Sequence, residues 1–323
     1  MRYNNILYLD CEETPYTRGI KDELWKISDN VDCYFYDGIY KPPIFLQRIN
    51  PKDCQKQRDE RIRLFLEHIK HNRYDLILVK APFYLPTYFF ENLKNIFKNV
   101  PIINYNWSSI RMFDFLPYRD FFTKIYSFDP NDCHIYNLNY YPLFYLKSFE
   151  KIGINKKKRY DMSFIGYAYS PGRLEFINKW LQKMLPQGMS YFLYLHTPKK
   201  RKAIFILLKY PRLSGYCFLD QISMNEVINI YSVSDAMIDH PMTLQSGLTI
   251  RTFETLGSGL NLYTTNLEIK NESFYDSKRI TICDKELNNF DLRNKQRKNI
   301  DRGWQDSFSK YRIDNWVKQI ITI

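Results

Sequence analysis

The sequence predicts an α/β protein built from two Rossmann-like domains that face a cleft. Three observations predict it. Short apolar runs of strand type alternate with amphipathic helical segments along the whole chain. The alternation stops at a hydrophilic stretch, 148–158, and then begins again. The length, 323 residues, suits two domains of roughly 150 each. Strands joined by helices of this length need right-handed crossovers and therefore parallel sheets, whose ligands bind at the carboxyl ends of the strands.

In the first half, a strand is expected over 5–9, then a polar loop over 10–19 and a helix over 20–27. A strand over 31–36 closes at Asp37 and Gly38. A charged helix over 53–71 places Ile62, Leu64, Phe65 and Ile69 on one face. Residues 74–79 read as a strand buried on both faces. A helix over 85–97 and strands over 101–105, 124–128 and 141–145 complete this half. The linker at 148–158 holds Gly153 and part of the basic run Lys156, Lys157, Lys158 and Arg159.

The second half opens with a strand over 162–165 closed by Gly166, a helix over 174–184 and a strand over 191–195. Residues 203–209 read as a helix or a buried element, and 216–219 as a strand. Ser223-Met-Asn-Glu226 is a capping box, because the serine caps the helix and the glutamate reaches back. That helix runs to about 231, and a strand over 236–239 follows. A turn and a helix over 249–256 come next, then strands over 260–264 and 280–283. The closing helix, 310–321, places Tyr311, Trp316, Val317 and Ile320 at helical spacing.

Composition narrows the class. Hydrophobic residues make up 45%, enough for packed cores. No run approaches the roughly 20 apolar residues that cross a bilayer. The first residues lead straight into a strand without a signal peptide, so a cytoplasmic location is expected. Six cysteines lack a C-x-x-C pair, and most of them read as buried thiols. The formal charge of +12 fits nucleic acid, anionic lipid or an anionic substrate. Basic residues gather at 156–159, 199–202 and 293–298, and each cluster also fits an ordinary solvated surface. The 27 Tyr and 23 Phe follow strand and helix periods and do not alternate with Arg and Gly. No nucleic-acid-binding signature is present, so no nucleic-acid partner is expected.

The chemistry concentrates in Asp239-His-Pro-Met-Thr-Leu-Gln-Ser-Gly-Leu-Thr-Ile-Arg-Thr-Phe-Glu-Thr-Leu-Gly-Ser-Gly259. A strand ends at Asp239. Gln245, Ser246 and Gly247 make a polar turn, and a helix starts near Thr249. The first amides of a helix lack internal partners and carry about half a positive charge, which makes a diphosphate site at the end of a parallel strand. Gly247 permits close backbone approach. Arg251 offers a bidentate contact, and Glu254 suits two ribose hydroxyls. An ordinary strand, turn and helix with a surface Arg and Glu is the competing reading, since one glycine is a weaker signal than G-x-G-x-x-G.

This run resembles the donor-binding motif of GT-B glycosyltransferases, and more narrowly that of bacterial capsule and O-antigen biosynthesis glycosyltransferases related to the CgeB-like group. The order of the capped helix, the strand over 236–239, the turn, the helix with its glutamate and the break at Gly257-Ser-Gly259 carries the resemblance. So do Tyr160-Asp-Met-Ser-Phe-Ile-Gly166 with Arg173, Lys124-Ile-Tyr-Ser-Phe-Asp-Pro-Asn-Asp132, and the helix around Trp316. It spans most of 70–320.

The resemblance implies an acceptor domain over 1–150, a donor domain over 159–305, and a helix over 306–323 that is a candidate to pack back on the first domain. It implies that Gly247, Leu248 and Thr249 hold the diphosphate and Glu254 the ribose. Leu219, Gln221 and Ile222 would line the base, while Gly166 and Arg173 face the phosphates. One departure stands out. Many retaining relatives carry a second glutamate eight residues before the first, and this chain has Ser246 there, beside Gln245.

The implied reaction moves a sugar from a nucleotide diphosphate donor to a surface polysaccharide or a lipid-linked glycan. The nucleotide-sugar is substrate, and no cofactor or metal is expected. The basic surface suits a peripheral place on an anionic inner membrane. A sugar-nucleotide epimerase of the same fold and a non-catalytic sugar-nucleotide-binding or scaffold protein are the other two readings.

An inverting transferase needs one general base on the acceptor hydroxyl. Asp10, Glu12 and Glu13 are the candidates, although a solvated acidic loop has the same composition. Trp107 follows a strand and suits stacking on an acceptor sugar, or a place in the core. His196 ends a strand and His240 precedes the turn, where each suits either a phosphate contact or an ordinary loop hydrogen bond. Five scattered histidines support neither a triad nor a metal cluster.

Overall fold

The computed structural model describes residues 2–36, 51–153, 157–168, 170–288, 290 and 302–322. The chain divides into two compact units, Met1–Pro142 with Trp316–Ile323, and Leu143–Asn315. The expected turn at Asp37 and Gly38, Lys156 of the linker and the basic cluster at 293–298 lie outside the described residues.

The first unit contains, in order, β1 (Tyr3–Asp10), α1 (Pro15–Trp25), β2 (Ser28–Phe35), α2 (Pro51–Ile69), β3 (Leu76–Lys80), α3 (Thr87–Ile96), β4 (Ile102–Asn106), β5 (Lys124–Ser127), α4 (Pro130–Tyr136) and β6 (Asn139–Tyr140). The described strands form one parallel sheet in the order β2-β1-β3-β4-β5-β6. Every residue of β3 and β4 is buried, as a parallel strand covered on both faces requires. The strand order reverses between β1 and β3, which places a ligand-binding crevice at their carboxyl ends.

Two expectations here are corrected, and one helix is added. The helix expected over 20–27 begins at Pro15, so residues 15–19 are not loop. Thr14 caps it: its hydroxyl accepts from Thr17 N at 3.2 Å and Thr17 Oγ1 accepts from Thr14 N at 2.7 Å. A threonine in the glutamate's place makes this box hard to read from sequence. The strand expected over 141–145 is instead Asn139–Tyr140, because Pro142 has no N–H to extend the ladder. Helix α4 was not expected. Pro130 starts it, and Asp129 accepts from the amides of Asn131 and Asp132 at 3.1 and 3.3 Å.

The second unit holds β7 (Tyr160–Tyr167), α5 (Pro171–Met184), β8 (Tyr191–His196), α6 (Lys200–Lys209), β9 (Cys217–Phe218), α7 (Met224–Val233), β10 (Ser234–Asp239), α8 (Ile250–Gly257), β11 (Asn261–Thr264), β12 (Ile280–Ile282) and α9 (Arg302–Phe308). Its described strands are parallel in the order β12-β11-β10-β7-β8-β9. Counted from β7, that is the dinucleotide-binding order 3-2-1-4-5-6, with its switch point between β7 and β10. The capping box forms as expected: Ser223 Oγ accepts from Glu226 N at 3.2 Å, and Glu226 accepts from Ser223 N at 3.0 Å.

The chain closes with α10 (Ile313–Ile320), shorter than the expected 310–321 because Ser309–Tyr311 forms a separate 3-10 turn. From Trp316 onward it belongs to the first unit. The Trp316 indole is buried, donates to the Pro142 carbonyl at 2.9 Å and meets the Tyr105 ring edge-on at 4.8 Å.

Candidate functional site

At the switch point of the second sheet, β10 delivers Asp239 fully buried. Two groups from the start of α8 reach it. Thr249 Oγ1 donates at 2.8 Å and Arg251 Nη1 donates at 3.0 Å. Thr249 is the N-cap residue, yet its hydroxyl turns to Asp239 and makes no cap to the helix amides. The Thr252 amide bonds the Thr249 carbonyl at 3.0 Å, and no Thr249 side-chain cap covers the start of α8, an arrangement that favours an anion.

The turn before α8 is held from both sides. Leu248 is buried and anchors it in the core. Asn266, just beyond β11, donates through Nδ2 to the carbonyls of Ser246 and Gly247 at 2.9 and 3.2 Å. Gln245 stands at the start of this turn, its amide bonded to the Met242 carbonyl at 3.1 Å. Glu254, in the second turn of α8, is 4% exposed and accepts from Tyr231 Oη at 3.2 Å.

The two arginines expected at the phosphates join the edges of β7 and β10. Arg251 donates to the Ile165 carbonyl as well as to Asp239, and its guanidinium lies over the Phe164 ring at 5.1 Å. Burial pulls its pKa down, but Asp239, Tyr231 and Glu254 outweigh that and raise it. Gly166 fits beneath this side chain, since a Cβ there would stand 3.0 Å from Arg251 Nη2. Arg173 donates to the His240 carbonyl through Nε and Nη2 at 3.1 and 2.9 Å, and to the Tyr167 carbonyl at 3.1 Å.

His240 stacks on Phe176 at 4.4 Å, and its Nδ1 lies 2.8 Å from Thr265 Oγ1. Burial lowers its pKa to about 4; Asp239 opposes the shift, while Arg173 and Lys285 add to it. The ring is neutral at physiological pH. Leu219 and Gln221, expected at the base, are exposed in the loop after β9, and Ile222 is half-buried. The Asp220 carbonyl secures that loop, accepting from Tyr194 Oη at 2.7 Å and from His196 Nδ1 at 2.9 Å.

In the first unit, the carboxyl ends of β1, β3 and β4 bring Asp10, Lys80 and Trp107 together. Asp10 is fully buried. It accepts from Lys80 Nζ at 3.0 Å, from Cys11 N at 2.6 Å and from Tyr8 Oη. Lys80 Nζ also lies 3.4 Å from the centre of the Trp107 ring, a cation–π contact. Tyr16 meets the same ring edge-on at 6.2 Å. Ala81 turns the chain out of β3 in a left-handed conformation, φ 53°, which is costly without a glycine. Beside Trp107, the buried Asn106 Oδ1 has no hydrogen-bond partner. Glu12 and Glu13 are exposed, and Glu13 pairs with Arg18 at 3.4 Å.

Sequence reading missed Lys80, Asn266 and Tyr231. A lysine closing the all-apolar run Leu76-Ile-Leu-Val79 is the one signal that marked its position. Among the described residues, no three His, Cys, Asp or Glu side chains gather as a metal-ligand group. No described helix is long and apolar enough to cross a membrane.

No protein-family model matches the chain, and no curated protein matches it. Solved structures do. A trehalose-6-phosphate structure from E. coli bound with UDP-2-fluoro glucose is 14% identical, with a TM-score of 0.62 over 98% of both chains. The lipopolysaccharide outer core galactosyltransferase WaaB, in apo form, is 8% identical, with a TM-score of 0.62 over 97% of both. The Methanocaldococcus jannaschii UDP-GlcNAc 2-epimerase, in complex with UDP-GlcNAc and UDP, is 9% identical, with a TM-score of 0.57 over 98% of this chain and 99% of that one. At these identities the likeness is one of fold. The chain shares with these structures the GT-B fold of two Rossmann-like domains.

Proposed function

We propose that the chain is a glycosyltransferase that takes a sugar from a nucleoside diphosphate donor. One observation carries the reading: at the switch point of a Rossmann-ordered sheet, the N-cap hydroxyl of Thr249 is turned to Asp239, leaving the first amides of α8 uncapped. Those amides bind the diphosphate, and Gly247 and Ser246 present the turn to it. Glu254 accepts from the ribose hydroxyls. Arg251 and Arg173 act one step back, by fixing the edges of β7 and β10 on which the turn stands. The leaving diphosphate is held by helix amides, and no metal is called for. A UDP-sugar is the first donor to test, because fold relatives carry UDP or UDP-sugars.

In the first unit, Trp107 offers a flat ring to an acceptor sugar, while Lys80 and Asp10 set its position. Asp10 is spent on its three donors, so Glu12 and Glu13 are the better candidates for a general base. The acceptor is a surface polysaccharide or a lipid-linked glycan of the capsule or O-antigen type. With a charge of +12, the chain meets that acceptor at an anionic membrane surface, from the cytoplasmic side.

Thermal-shift measurement against UDP-, GDP-, CMP- and dTDP-sugars tests the donor site. A donor at 100 times its Kd adds about 2.7 kcal/mol of stability. If no nucleotide stabilises the chain, the reading fails. Product analysis then separates the activities. Transfer releases nucleoside diphosphate in step with acceptor modification, epimerisation returns an altered nucleotide-sugar, and a binding protein does neither.

A further inference from the structure

Helix α6 carries more apolar surface than its packing uses. Its inward stripe is Ala203, Ile206 and then Tyr210, of which Ile206 and Tyr210 are buried. That is enough to seat a ten-residue helix. Yet Ile204, Phe205, Leu207 and Leu208 are 56, 44, 51 and 77% exposed. Arg201, Ile204, Phe205 and Leu208 follow helical spacing, so a second apolar stripe faces water. Single exposed apolar residues are ordinary, but four within two turns form a patch.

Cations frame this patch. Lys199, Lys200 and Arg201 are exposed at its start, and Lys209 and Arg212 at its end. Lys209 Nζ lies 5.7 Å from the centre of the Phe205 ring. No Asp or Glu occurs between Thr197 and Leu219, so nothing in the local sequence offsets the charge. This pairing of chemistry selects the partner. A nucleic acid would answer the cations and leave the leucines wet. A second copy of the chain would bring the same cations against each other. An anionic bilayer answers both, taking the apolar stripe at the boundary of headgroups and acyl chains and the lysines among the phosphates.

We infer that α6 is the surface by which the chain docks on an anionic lipid bilayer. The helix begins four residues after β8, at the carboxyl edge of the sheet where β10 delivers Asp239. The inference rests on the membrane-surface reading above, but binding is measured without turnover, so the transferase assignment and the docking surface fail separately.

The test is co-sedimentation of the full chain with vesicles of phosphatidylcholine alone and with vesicles that also contain phosphatidylglycerol. The wild type is expected on the anionic vesicles only, and salt should weaken it. Ile204→Ser with Leu208→Ser, and separately Lys200→Glu with Arg201→Glu, should each lower partitioning by roughly tenfold or more. Unchanged melting temperatures show that both variants fold. The inference is overturned if the wild type ignores anionic vesicles, if it binds neutral ones equally, or if the variants bind as well as the wild type. It is also overturned if the same substitutions instead dissolve a dimer of the chain that never binds lipid.

Discussion

Arg251 and Asp239 form an ion pair at 3.0 Å, with side chains 15 and 1% exposed, and through Ile165 the same guanidinium reaches the neighbouring strand. The pair fixes the start of α8 to the ends of two strands. Arg251→Ala leaves Asp239 buried without its cation and should cost about 3 kcal/mol of stability. Arg251→Lys keeps the charge but not the fork, and should recover only part of that loss. Urea unfolding of both variants checks this, and equal stability of wild type and alanine variant would refute it.

Glu254→Gln separates ligand binding from packing. The amide oxygen still accepts from Tyr231 Oη, so the free chain should lose less than about 1 kcal/mol. The ribose loses a charged acceptor, so the donor Kd should rise about tenfold, equivalent to about 1.4 kcal/mol. Calorimetric titration reads the affinity and thermal unfolding reads the stability. Loss of stability with unchanged affinity would make Glu254 a packing residue only.

Lys80→Met should be strongly destabilising, by about 3 kcal/mol, because Asp10 stays buried without its cation. Its side chain is 3% exposed and that of Asp10 is 0% exposed. Adding Asp10→Asn should restore much of the loss, and a double-mutant cycle measures the coupling. In activity assays Lys80→Met with Asp10→Asn should raise the acceptor KM more than it lowers kcat, because Trp107 loses the cation on its face. A fall in kcat alone would place the pair in the chemical step.

His240 gives a pH dependence of known sign. Its folded pKa of about 4 lies below the ordinary 6.5, so the unfolded chain binds the extra proton first. Its contribution to stability is complete above 6.5 and is lost as pH falls toward 4. Asp235 is raised by burial, and then by Asp161, to about 6 from 3.8, and has the opposite slope in the same window. The difference between wild type and His240→Gln isolates the histidine. Between about pH 7 and about pH 4.5 the wild type should lose about 2 kcal/mol relative to the variant. Parallel pH profiles would show that His240 does not titrate abnormally.

The strands were legible because parallel strands covered on both faces are mostly apolar, as Leu76-Ile-Leu-Val79 is throughout and Ile102-Ile103 is at the start of β4. The turn into α8 was legible because a small-residue polar segment between a strand and a helix has few other uses. Partners were not legible. Arg173 and Arg251 read as phosphate ligands, since sequence displays a charge and conceals what neutralises it. The carbonyls of Ile165, Tyr167 and His240 come from loops and strands that only the sheet order brings beside those arginines. Lys80 escaped for the same reason, because its anion is 70 residues away.

Trp316 has a consequence for synthesis. The indole belongs to the first unit, and its partners Tyr105 and Pro142 precede the whole of the second. At 5–20 residues per second, roughly 10–35 s separate the emergence of Pro142 from that of Trp316. Throughout that interval the nascent first unit exposes the apolar seat of Trp316 to solvent. Chaperones that bind ribosome-tethered chains have that long to find it, and a ribosome that stalls before Trp316 leaves the unit permanently open.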